Sequence, residues 1–148
     1  GDSNTITLGA TINYTGAAPA LGQTLTRTDL TTITNSTLVL QKQVRNLTQG
    51  GAWGNSNQAK SGDVLEYKIS YTNTGSQALN TLQVNDATPA FTTFASAVCG
   101  SPLPASLSAC VVSAQPTVGG VGAITWSFTG SLAPNGTVGE VTYQVTVQ

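Results

Sequence analysis

The sequence predicts an all-β chain: an immunoglobulin-like Greek-key β-sandwich of about seven strands, preceded by an N-terminal extension strand. Two observations carry this. Apolar residues do not recur at helical spacing; they alternate with polar ones at period two. Clusters of Gly, Pro, Asn and Ser break that alternation into short segments, as turns do between strands. The 148 residues include 24 Thr, 13 Ser, 10 Asn and 10 Gln but only 7 % charged side chains, so solubility rests on hydroxyls and amides rather than on charge.

Residues 4–14 alternate most cleanly, with Ile6, Leu8, Ala10, Ile12 and Tyr14 on one face and Thr5, Thr7, Gly9, Thr11 and Asn13 on the other. A flexible-looking connector and a Thr-rich stretch to residue 37 follow. This front segment, 1–37, is too small for a domain of its own. It is therefore expected to pair with the sandwich or with another chain. The sandwich proper is expected over 38–148. Its first strand, 38–45, places Leu38, Leu40, Lys42 and Val44 together, and 63–74 does the same for Leu65, Tyr67, Ile69, Tyr71 and Asn73. At 80–86, Leu82, Val84 and Asp86 align. Further strands are expected at 91–98, 109–114, 124–128 (Ile124, Trp126 and Phe128 aligned) and 141–147 (Val141, Tyr143, Val145 and Val147 aligned). One apolar face per strand is enough for a two-sheet core.

Composition excludes several chemistries. With no His, neither a His-containing triad nor His-ligated zinc can be built. Five scattered basic residues and a net charge of −1 cannot supply the footprint that a phosphate backbone requires, so nucleic acid is not an expected partner. The acids show no calcium-loop spacing, and no metal or cofactor is expected. No apolar run reaches membrane-spanning length. Cys99 and Cys110 flank a loop with two prolines, and a disulfide between them suits an extracellular setting; two half-buried thiols are the alternative. The first residues do not read as a signal peptide, so the chain is expected to be a mature form or an excised piece.

LVLQKQV, SGDVLEYKISYTNTGSQALNTLQVNDATP, ITWSFTGSLAPNG and VTYQVTV together resemble the repeat called domain of unknown function eleven, found in bacterial and archaeal surface and secreted proteins. The matching positions are Lys42; Gly62, Asp63, Tyr67, Asn73, Thr74 and Gly75; Asp86 and Pro89; and Trp126, Leu132, Pro134 and Gly136. The resemblance spans 38–148 and implies fold and setting rather than an activity. In tandem arrays of this family a segment with an Asn-Thr start follows the last strand; here such a segment, Asn4-Thr5, stands at the front instead. Either the chain is cut from an array, or its N-terminal strand is donated to a neighbour, or that strand folds back on its own sandwich.

Parity turns Lys42, Asn73 and Asp86 toward the core. A buried lysine needs a partner, so an internal ion pair between Lys42 and Asp86 is expected, with a Lys–Asn or Lys–Asp isopeptide bond as its covalent alternative and Lys42 reaching out to a sheet edge as another. Trp53, in a long loop at 46–61, is the candidate ligand contact for glycans, against the simpler role of anchoring its loop. The expected function is structural and non-enzymatic: a secreted or cell-surface, pilus-like filament subunit. Copies would join as a homopolymer by donation of Ile6, Leu8, Ala10, Ile12 and Tyr14 into a neighbour. The alternative is an adhesive or carbohydrate-binding module of a larger surface protein.

Overall fold

The computed structural model describes residues 2–13, 22–33 and 38–148, the first two stretches as backbone alone. The chain divides into two units, Gly1–Asn35 and Ser36–Gln148. In the first, β1 (Asp2–Asn13) and β2 (Gly22–Ile33) pair antiparallel at all twelve positions, from Asp2 opposite Ile33 to Asn13 opposite Gly22. The expectation concerned the partner of the whole front segment and foresaw no pairing within it. Within that segment, one edge of β1 is taken by β2, whose Thr-rich sequence has strand propensity despite weak alternation. The side chains of Ile6, Leu8, Ala10 and Ile12, and all of Tyr14, lie outside the described residues.

The second unit is all-β, with eight strands: β3 (Leu38–Asn46), β4 (Val64–Asn73), β5 (Leu79–Asn80), β6 (Gln83–Ala87), β7 (Thr92–Cys99), β8 (Leu107–Ala114), β9 (Ala123–Leu132) and β10 (Gly139–Val147). They form two antiparallel sheets. One has the order β3-β4-β10-β7; in the other, β9 is central and pairs with β6, β8 and β5. The segment expected as one strand at 80–86 is interrupted. Leu79 faces Leu132 and Val84 faces Trp126, so the register changes by one residue between them. Thr81 sits at this break with φ of 55°, a left-handed backbone that no strand continues through. No helix among the described residues is long and apolar enough to cross a membrane.

The alternation seen in the sequence becomes the core. Leu65, Ile69 and Tyr71 of β4, Val84 of β6, Ile124, Trp126 and Phe128 of β9, and Val141, Tyr143 and Val145 of β10 are all buried. The sheets meet through aromatic pairs: Tyr71 meets Phe128 edge-on at 5.0 Å, and Trp126 lies 6.2 Å from Tyr143. Such pairs add about 0.5–1.5 kcal/mol to area burial. Trp126 Nε1 donates to the Val98 carbonyl at 3.2 Å, so its polar atom is also satisfied. Cys99 and Cys110 are disulfide-bonded, tying β7 of one sheet to β8 of the other.

Candidate functional site

Lys42 and Asp86 meet at the rim where β3 of one sheet lies near β6 of the other. Lys42 Nζ stands 2.6 Å from Asp86 Oδ2, and Asp86 Oδ1 accepts the Ala87 N–H at 2.9 Å. The ammonium also lies over two aromatic faces, 4.8 Å from the Tyr67 centroid and 5.5 Å from that of Tyr143. Those rings stack at 4.9 Å. Burial, and then the negative charge of Asp86, push both tyrosine hydroxyls above their ordinary pKa. The expected inward pair therefore forms, but it is not buried: the Lys42 side chain is 42 % exposed. Parity gave its face correctly. As an edge strand, β3 lets a long side chain keep its stem on apolar surface and its head near water.

Asn73 does not join this cluster. Across the β3–β4 ladder Leu38 pairs with Asn73 and Lys42 with Ile69, so Asn73 is four positions further along, about 13 Å. It is 1 % exposed, as parity predicts, and closes the turn after β4. Its Nδ2 donates to the carbonyls of Gln77 (2.7 Å) and Leu132 (3.0 Å), and its Oδ1 accepts the Gly75 N–H at 3.0 Å. The Lys–Asn isopeptide expectation falls on this separation. Its requirement for a buried amine is likewise unmet at Lys42.

A second polar cluster, around Asp63, entered the sequence reading only through the family resemblance. Asp63 is 1 % exposed, and its Oδ2 accepts from Gln49 Nε2 (2.6 Å), Asn46 Nδ2 (2.9 Å) and the Lys60 N–H (3.0 Å). These bonds, led by that of the Lys60 N–H, hold its pKa below the usual carboxylate value. Asn46, equally buried, also donates to Gln58 O and accepts the Gln49 N–H. Together these residues fold the long loop after β3 back on itself. The available signal was that Asn46 shares the inward parity of Val44.

The fixed loop returns along β3, where Val44 and Gly54 exchange backbone hydrogen bonds of 2.8 and 3.0 Å. Trp53 is thereby laid against the outer face of the sheet. The Arg45 guanidinium is 4.5 Å from its ring centroid and Lys68 Nζ 4.7 Å. Arg45 is held by Glu66 at 2.7 Å through Nε, Gln144 donates to Glu66 at 3.1 Å, and Lys68 lies 3.4 Å from Glu140. Trp53 thus anchors its loop over a small charged strip. Elsewhere, a recess of about 360 Å³ lies between the loop at 100–105 and residues 137–140; it is lined largely by small and apolar residues such as Pro102, Leu103 and Val138.

The four outer edges of the two sheets differ. On β7, Phe94 exchanges backbone bonds with Gly119 and Gly120 at 2.8 Å, which covers that edge. Two register shifts interrupt β8. The five-residue β6 carries the Asp86 carboxylate. The nine-residue β3 pairs with β4 without a shift; the returning loop covers it at Val44, and among the described residues no strand pairs with it at 38–42. No family model, curated protein or solved structure matches the chain.

Proposed function

We propose that this protein is a structural subunit of an extracellular or cell-surface filament, joined head to tail by addition of the N-terminal strand of one copy to the sandwich of the next. The carrying observation is that β1 and β2 form a two-stranded sheet in a unit of their own. A two-stranded ribbon is marginal in water and gains stability from a third strand. With β2 on one side, the other edge of β1 pairs with no strand among the described residues and is open to a neighbour. A contact of this kind uses different surfaces on the two copies and does not close, so it propagates. The Cys99–Cys110 disulfide suits an oxidising compartment. The motif resemblance to a surface-protein repeat points the same way, and a charge content of 7 % keeps repulsion between close-packed copies small. For the adhesive alternative, the observation to weigh is Trp53, whose contacts with Arg45 and Lys68 favour loop anchoring.

Negative-stain electron microscopy and light scattering of the purified chain test this reading. Filaments are expected from the intact protein, and folded monomers with a lower melting temperature when residues 2–13 are deleted, because an added strand stabilises only the folded sandwich. A strictly monomeric intact chain overturns the proposal.

A further inference from the structure

We infer that the acceptor for the donated strand is the edge of β3 at residues 38–42, and that its occupant is β1 of a second copy of this chain; the inference rests on the strand-addition reading. Val44 directs both its N–H and its C=O away from β4, to Gly54. Backbone direction alternates along a strand, so Leu40 and Lys42 present theirs along the same edge. Val39 and Leu40, on opposite faces of β3, are 43 % and 51 % exposed. An added strand would cover both. The other edges carry the devices that discourage pairing: a covering loop on β7, bulges on β8, and short length with a carboxylate on β6. At 38–42 the nearest such device is the half-exposed Lys42, which marks one end of the open stretch.

The choice of β1 follows from sequence and pairing. Within its twelve residues the only charge is Asp2 at the start, whereas β2 carries Arg27 and Asp29 in its middle, where charges oppose burial against a further strand. The pairing of β1 with β2 leaves the second edge of β1 for the incoming β3, giving the continuous order β2-β1-β3-β4 across two copies. Main-chain bonds along this seam supply affinity, and Val39 and Leu40 supply the apolar contact on its two faces.

The test compares Leu40→Lys and Val39→Lys with the control Val111→Lys on the β8 edge, which is 56 % exposed in the wild type. All are made in the full disulfide-bonded chain and read by electron microscopy and light scattering, with thermal melting as the folding check. Loss of filaments in either folded β3-edge variant, with wild-type filaments from Val111→Lys, is the expected result. Because Leu40→Lys keeps its donor strand, substoichiometric amounts should also cap and shorten wild-type filaments. Filaments from both β3-edge variants, or equal loss in Val111→Lys, overturn the assignment of the edge; strand addition itself still stands if deleting residues 2–13 abolishes assembly. A wild-type chain that never polymerises overturns both.

Discussion

Gly139 lies directly against the ring of Tyr71: a Cβ on Gly139 would overlap Tyr71 Cζ. The two residues face each other across the β10–β4 ladder, and Tyr71 is fully buried against Phe128. The ring cannot retreat without disturbing the contact between the sheets. Gly139→Ala is therefore expected to cost about 1–3 kcal/mol through overpacking, read as a lower urea midpoint at unchanged slope. A loss below about 0.5 kcal/mol would show that the ring relocates freely.

The Tyr71 hydroxyl is buried and, among the described residues, has no hydrogen-bond partner. An unsatisfied buried hydroxyl costs free energy that a phenyl ring of the same shape does not. Tyr71→Phe should raise stability by about 1 kcal/mol. A clear loss in the same denaturation experiment would reveal a partner for the hydroxyl.

Removing the disulfide as Cys99→Ala with Cys110→Ala should cost about 3 kcal/mol in the chain-entropy model, while both sheets stay intact by far-UV circular dichroism. The bond closes a loop of sequence separation 11. Unchanged stability would contradict the loop-closure account of this bond.

Stability should fall at both ends of the pH scale. Asp63 is held below its ordinary value of 3.8, so the folded state binds fewer protons there than the unfolded chain. Its contribution is complete above that value and is lost as pH falls through the lower folded pKa. Asp63→Asn should flatten the acid limb of a melting-temperature profile. On the alkaline side, burial raises Tyr71 to about 12 and also raises Tyr67 and Tyr143. Above pH 10 the unfolded chain loses protons that the folded one keeps, so stability declines there. A flat profile from pH 9 to 12 would contradict this.

The contact between Lys42 and Asp86 is expected to be ionic. Intact mass under non-reducing conditions should match the sequence less the two hydrogens of the disulfide, and loss of a further water would mean a covalent bond. A double-mutant cycle with Lys42→Met and Asp86→Asn should give a coupling of about 1 kcal/mol or less, as for partly exposed pairs.

Faces were legible in the sequence; depth and neighbours were not. Strict alternation set the buried sides of β4, β9 and β10 from Leu65 to Val145, because the pleat enforces period two. It could not place Thr81 at a break, since a positive φ at a threonine leaves no compositional trace. Nor could it show that Lys42 lies on an edge strand or that Asn73 is four positions away, because register belongs to strand order rather than to either strand. Cys99 and Cys110 were legible from spacing, while the Asp63 network depends on a loop whose path only its hydrogen bonds define.

Leu38 sits beside Asn73, near the Gly139 end of the β3-β4-β10 ladders, whereas Val147 sits at the far end, beyond the Thr146–Val64 pair. A pull applied between residues 38 and 147 therefore runs along the strands. The ladders from β3 to β4 and from β4 to β10 are loaded in shear, so their bonds resist together instead of opening one at a time like a zipper. The disulfide, between β7 and β8, lies off this path, and resistance to such tension resides in the backbone hydrogen bonds flanking β4.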